Sequence, residues 1–353
     1  MHFLILSTFT SYSNIHNITK IFLLNNYKSR VLREKYINKL LGMSVMFCVK
    51  ANVGGKLGYF EFPYKVGIVG FMAYPSTLKN YSLLKAFNEL FSDPFFELIE
   101  YSFLEEEEWN KVKEVVNKNK KEISLALQPF TFSNEGELSS LNEERRTKAV
   151  NEVKRRIKIS AGRNVRTIGL TSGQDPGEEK RRGATEQLIK SLNEICDYAE
   201  NYGMFVLLET FDRSYDKKLL IGPIEEAKNV VDEVRKNHKN IGILWDLSHA
   251  PMLGETPSVL LKYKEIVSHI HIGCTKSING TMKDWHPSFY REGALNDINN
   301  VVELLEVLNK INYRGAISFE VKPEEGQHPQ EAINVSKGVL ITAFLKYLEK
   351  NSK

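Results

Sequence analysis

Four apolar runs in this chain each end on groups that can hold a metal ion or move a proton. FVLLETFD carries Glu209, GILWDLSH carries Asp246 and His249, SHIHIGC carries His269 and His271, and AISFEVKP carries Glu320. The runs are rich in Val, Ile, Leu and Phe, the character of parallel strands buried on both faces. Carboxylates clustered at such strand ends without a cation would repel one another and raise their own pKa values. A metal ion is the simplest common partner. One imidazole among carboxylate oxygens shifts the preference toward Mn, Co or Zn. Glu209, Asp246, His271 and Glu320 offer that mixture, so the expected cofactor is one divalent ion, manganese, cobalt, magnesium or zinc.

His269 and His271 lie two apart and share a strand face. His271, nearer the C-terminal end, is the better ligand, and His269 reads as a hydrogen-bonded core histidine. His249, three residues past Asp246, is placed to touch a substrate or a second metal. Asp284 and His286 in KDWHPSFYREG form a D-x-H pair that suits a metal pair, a substrate clamp or plain loop residues. Lys322, two residues beyond Glu320, is either a phosphate contact or a surface residue.

The elements that must position these groups alternate from Lys65 onward. Strands are expected at 66–74, 95–103, 123–130, 165–173, 204–210, 241–247, 267–273 and 315–321, with amphipathic helices between them. Eight βα units in one run favour a closed (β/α)8 TIM barrel over an open sheet, with catalytic groups at the C-terminal strand ends. Pro223 and Pro257 suit first helical turns, with Thr256 and Asn296 as N-caps. The Glu105–Glu108 run reads as a solvated helix start. Gly54-Gly55 signals a hairpin turn. TSGQDPGEEKRRGAT (171–185) reads as a long loop over the barrel mouth.

Composition narrows the function classes. The chain has 353 residues, 42 % hydrophobic and 26 % charged, as in ordinary globular proteins. A net charge of +4 over that length is too weak to argue for nucleic acid. Cys48, Cys196 and Cys274 are odd in number and far apart, which fits a reducing cytoplasm rather than a disulfide framework. No apolar run approaches the roughly 18 residues of a membrane helix. Residues 1–42 have no clean period and read as a poorly structured N-terminal extension, disordered or mis-started, with Met43 or Met46 as the alternative beginning. Residues 43–353 form the barrel.

The chain resembles the xylose-isomerase-like barrel superfamily, which holds sugar and sugar-phosphate isomerases, 3-epimerases and the type IV apurinic endonucleases. The resemblance rests on the ketose 3-epimerase pattern: Glu209 after strand five, Asp246-x-x-His249 after strand six, His269-x-His271-x-Gly273 after strand seven, and Glu320 after strand eight. It implies that Glu209 and Glu320 both bind the metal and move the proton. Two positions depart from the pattern. Ser277 stands where an arginine is usual, and Tyr215 stands where a second glutamate is usual, with Asp212 and Arg213 nearby as substitute substrate contacts. The Asp284-x-His286 pair resembles the endonuclease, but the ends of strands two to four offer Ser102, Gln128 and Ser172 rather than histidines.

The function this implies is a metal-dependent isomerase or epimerase of a small sugar or sugar phosphate, working through an enediolate. Glu209 and Glu320 would serve as acid and base, and His249, Asp284, His286, Lys322, Asp212 and Arg213 would contact substrate. The competing classes are an apurinic-endonuclease-like phosphodiesterase and a non-catalytic sugar-binding barrel. Neither nucleic acid nor membrane is an expected partner, and a homo-oligomer is compatible with the sequence. Because residues 1–42 offer no periodic apolar face, a chain starting at Met43 is expected to fold and bind metal as well as the full chain. A large drop in Tm or metal content on truncation would show that the segment is structural.

Overall fold

The computed structural model describes residues 47–76 and 81–352; the expected extension, residues 1–42, lies outside the described residues. Eight parallel strands close into a barrel. They are β1 Lys65–Val69, β2 Leu98–Ser102, β3 Glu122–Ala126, β4 Thr167–Leu170, β5 Phe205–Glu209, β6 Ile241–Asp246, β7 Val267–Ile272 and β8 Ala316–Phe319. Pairing of β8 with both β7 and β1 closes the ring. The strands fall where the apolar runs predicted them. They are shorter than the runs: 66–74 passes into the helical turn Gly70–Ala73 and 123–130 into the turn Gln128–Thr131.

Outward-facing strand residues pack on the helices and inward-facing ones fill the barrel. On β6, Trp245 is fully buried toward the helices and donates its indole N–H to Glu255 Oε2 at 2.8 Å. The next residue, Asp246, then turns inward and pairs in register with His271 of β7. Periodicity therefore delivers the candidate ligands to one end of the barrel.

The helices start where electrostatics favours them. The helix Glu106–Asn119 opens with a reciprocal cap between Glu105 and Glu108, so the acidic run stabilises a helix N-terminus. The predicted long loop at 171–185 is shorter than its composition suggested. Helix Glu178–Glu200 begins inside it, with Glu178 and Glu179 in its first turn. Asp297, not Asn296, caps the helix Ile298–Lys310. Asn296 instead accepts from Thr275 N–H and donates to the Leu247 carbonyl, tying the loops after β6 and β7 together. Thr256 makes no side-chain cap bond; its hydroxyl pairs with Ser258.

The hairpin Cys48–Val53/Lys56–Glu61 turns at Gly54-Gly55, both left-handed at φ 57° and 78°. Aromatic packing ties its end to the barrel. Phe47 stacks on Phe62 and Phe95, and Phe62 meets Phe344 of the C-terminal helix edge-on. Among the described residues, no helix is long and apolar enough to cross a membrane.

Candidate metal centre and active site

At the C-terminal end of the barrel, one ligand atom from each of Glu209, Asp246, His271 and Glu320 lies within 4.8 Å of the others, and all four residues are buried. His271 Nδ1 is 2.7 Å from Glu320 Oε2 and 3.9 Å from Glu209 Oε1. Glu209 Oε2 accepts the Gln128 amide at 2.8 Å. Its Oε1 is buried with no hydrogen-bond donor among the described residues. Asp246 accepts the Ser248 backbone N–H at 2.7 Å and the Ser248 hydroxyl.

A carboxylate absent from the sequence reading orders this set. Glu100, the middle residue of β2, points into the barrel and is almost fully buried. It accepts from His269 Nε2 at 2.9 Å and lies 3.2 Å from His271 Nε2. With its Nε2–H held by Glu100, His271 turns Nδ1 toward Glu209 and Glu320, the orientation a ligand histidine needs once Nδ1 gives up its proton. His269 divides its contacts between Glu100 and the Ser318 hydroxyl at 3.2 Å. The run FFELIEYSF holds two carboxylates, Glu97 and Glu100, and neither ends it, so nothing in the sequence singles out the one that faces the site.

His249, Asp284 and His286 also reach the site. The His249 Nδ1–H donates to the Thr210 carbonyl at 2.8 Å, which turns Nε2 toward Asp284 Oδ1 at 3.2 Å and Asp246 Oδ2 at 3.5 Å. His286, at φ 53°, places Nε2 2.6 Å from Asp284 Oδ1 and 3.6 Å from Glu320 Oε1. Asp246, His249 and His286 form a second group of converging ligand atoms. Lys217 stands over it, with Nζ 3.0 Å from Asp284 Oδ2.

Two predicted substrate contacts go elsewhere. Asp212 is fully buried, and its carboxylate accepts the backbone N–H groups of Tyr215, Asp216 and Lys217 at 2.6–2.8 Å, holding the loop after β5. Arg213 pairs with Glu226 at 2.8 Å on the helix that follows. Both residues position the loop carrying Lys217 rather than lining the cavity. Lys322 does line it, together with Phe132, Phe211, Lys217 and Trp285, around a space of about 190 Å³. A larger opening of about 800 Å³ lies at the N-terminal end of the strands. Its basic rim follows helix C-termini, where cations complement the dipole. The smaller cavity holds the candidate catalytic groups.

The electrostatics make the donor set suitable for a cation. Burial pushes the Glu209 carboxyl up to about 8, and the Glu320 charge adds to the effect. Burial also opposes ionisation of Glu320, yet the neighbouring His286 and His271 hold it at about 2. The two carboxylates are not both comfortably ionised at neutral pH with protein groups alone. A divalent ion among them would favour ionisation of both. Glu209 Oε1, buried with no donor among the described residues, could serve as a ligand atom.

The xylose isomerase-like TIM barrel family model matches residues 89–338, and the chain belongs to that family. An uncharacterized protein of Methanocaldococcus jannaschii is 32 % identical over 137 residues, 38 % of this chain; the match spans 42 % of that relative's length. Among solved structures, the IolI protein with a bound zinc atom superposes with TM-score 0.63 at 18 % identity, covering 80 % of this chain and 99 % of its own. A D-tagatose 3-epimerase-like protein gives TM-score 0.61 at 21 % identity, covering 80 % and 99 %. D-psicose 3-epimerase of Clostridium cellulolyticum H10 gives TM-score 0.59 at 20 % identity, covering 81 % and 99 %. At these identities the likeness is one of fold.

Two measurements test the centre. A Glu209 pKa raised from about 4.5 to about 8 contributes stability that is full below the unfolded value and lost as pH rises through 8. Protein stripped with EDTA should therefore lose part of its Tm between pH 5 and 8. The Tm gain on adding a divalent ion should grow over the same window, because a liganding carboxylate must be deprotonated. A gain independent of pH would count against Glu209 as a ligand. Glu100→Gln should weaken metal affinity by about 10- to 100-fold, as loss of a partner to a ligand histidine does; titration calorimetry reads this directly.

Proposed function

We propose that this protein is a divalent-metal-dependent isomerase or epimerase acting on a small sugar derivative. The observation that carries the reading is the convergence of Glu209 from β5 and Glu320 from β8 with Asp246 and His271, beside a small cavity that Glu209, His271 and Glu320 line. Family membership and the sugar epimerases among the fold neighbours support it. The named neighbour with zinc supports a metal in such a site without fixing its identity here.

A divalent ion bound by Glu209, Asp246, His271 and Glu320 supplies Lewis acidity toward a carbonyl and its adjacent hydroxyl. The chain's own residues do the rest. One of the two glutamates takes a proton from the substrate carbon, and the other returns one on the opposite face. Gln128 fixes the rotamer of Glu209. His271 and His286 fix Glu320. His286, which lines the cavity, is placed to orient substrate hydroxyls, with the buried His249 behind it on the same Asp284 carboxylate. Phe132 and Phe211, packed edge-to-face at 5.1 Å, give the cavity an apolar wall that excludes water.

A second reading is a phosphodiesterase of the apurinic-endonuclease type. The further group Asp246, His249 and His286 favours it. Against it stand Glu100 and Gln128, rather than histidines, lining the cavity from β2 and the β3 loop, and the Lys217 ammonium already on Asp284. Metal content separates the two: one ion per chain fits the isomerase, two or three the nuclease.

The deciding experiment is deuterium wash-in from D2O across a panel of free and phosphorylated ketoses. Metal removal should abolish exchange. Glu320→Gln should keep the fold and lower turnover by about two to four orders of magnitude. His271→Asn should cost far more than His269→Asn. If no sugar exchanges a carbon-bound proton with metal-loaded protein, the isomerase reading fails and a non-catalytic binding barrel replaces it.

A further inference from the structure

Among the described residues, the charged groups facing the candidate cavity have protein partners, Glu209 through one oxygen only, and one group is the exception. Glu100 has two imidazoles, Asp284 has Lys217 and two imidazoles, and Glu320 has His271 and His286. Lys217 is matched by Asp284 at 3.0 Å and Asp216 at 2.9 Å. The exception is Lys322. It is half-buried and lines the same cavity, yet among the described residues no carboxylate pairs with it. Its ammonium sits 5.3 Å above the Trp285 ring. The neighbouring Glu324 is occupied by Lys276 and by Arg291 at 3.0 Å.

Lys322 is also held in place. Its backbone N–H donates to the His286 carbonyl at 2.7 Å, so it is fixed to the loop that brings Asp284 and His286 into the site. Trp285, between those two residues, is 44 % exposed and lines the cavity mouth. An exposed indole beside a cation in a sugar-sized space offers an apolar face for a carbon skeleton and a charge for its end. The aromatic face satisfies only part of an ammonium's capacity, which is three hydrogen bonds.

We propose that Lys322, backed by Trp285, binds an anionic group on the substrate, a phosphate or a carboxylate, and that the site selects acidic over neutral sugars. This deepens the isomerase reading and rests on it. The cavity of about 190 Å³ is below the roughly 300–1,000 Å³ of drug-sized sites, which restricts the ligand to a single small acidic sugar. Lys217 cannot serve in its place, because its charge is already spent on Asp284 and Asp216.

The test uses the full chain in saturating magnesium, as wild type, Lys322→Met and Lys322→Arg. Inorganic phosphate and glycerate are titrated separately to distinguish the two anion sources. The anion that matches the substrate should bind wild type at least about tenfold more tightly than Lys322→Met, with Lys322→Arg between them, the loss expected for one charge-assisted hydrogen bond. In the exchange assay, the ratio of kcat/KM for ketose phosphates or sugar acids over neutral ketoses should fall about 10- to 100-fold in Lys322→Met and recover in part in Lys322→Arg. Equal anion binding by wild type and Lys322→Met overturns the subsite. An unchanged ratio, with neutral sugars still exchanging, also overturns it while leaving the isomerase reading intact. If no sugar exchanges at all, the isomerase reading falls, and the anion titration alone decides the subsite.

Discussion

Like charges buried at one end of the barrel must be neutralised, and much of the site's geometry follows from how this is done. Glu209, Asp246, Glu320, Glu100 and Asp284 all carry buried side chains there. Removing so many carboxylates from water is costly unless each finds a positive or hydrogen-bonding partner. Four imidazoles and Lys217 supply most of those partners. His271 lies between Glu100 and Glu320, His269 is held by Glu100, and His249 and His286 share Asp284. Glu209 is the carboxylate left incompletely served, with one oxygen on Gln128 and the other on no donor among the described residues. The imbalance lies where four donors converge, so the network can take a cation among them.

The barrel interior gives way so that these groups can approach. Gly273, one residue past β7, faces the Glu320 backbone so closely that a methyl there would stand 2.3 Å from the Glu320 carbonyl oxygen. A methyl at Gly169 on β4 would meet the Gln128 amide nitrogen at 2.7 Å and displace the group that holds Glu209. Such contacts are closer than packed atoms tolerate. The glycine in His269-x-His271-x-Gly273 thus acts through space, letting the ends of β7 and β8 draw together, and the ligand pattern and the backbone pattern are parts of one constraint.

The eight strands are legible as apolar runs, and four of the converging residues are legible because their runs end on an ionisable group. Glu100 was not, since its carboxylate interrupts a run instead of ending it, and only the closed barrel shows that β2 faces β7 across the interior. The same limit explains Asp212 and Arg213. Their position after β5 suggested substrate, but sequence spacing cannot tell a side chain facing the cavity from one folded back to accept three N–H groups or to pair with Glu226. Asn296 and the 171–185 segment were misread for a related reason. Polar, Gly- and Pro-rich composition marks where a strand ends, yet a loop tie, a cap and an acidic first turn draw on the same residue types.

The loops divide the work of the site between charge that is fixed and charge that is available. The loop after β5 delivers Lys217 to Asp284, and Lys283 reaches back to Asp216 at 3.1 Å. These cross-loop pairs bind the β5 and β7 loops at the mouth and consume the charges they use. Their partial burial gives them more weight than exposed pairs would have. His286 then couples the β7 loop to β8 through Glu320 and through the Lys322 N–H. The result is a rim in which three loops are cross-linked by polar contacts around a small cavity, with the metal-type donors below and, beside an exposed indole above, one ammonium that no carboxylate pairs with among the described residues. Fixed groups set the geometry of such a site, while groups with unspent capacity, the Glu209 oxygen and the Lys322 ammonium, mark where a ligand can gain most by binding.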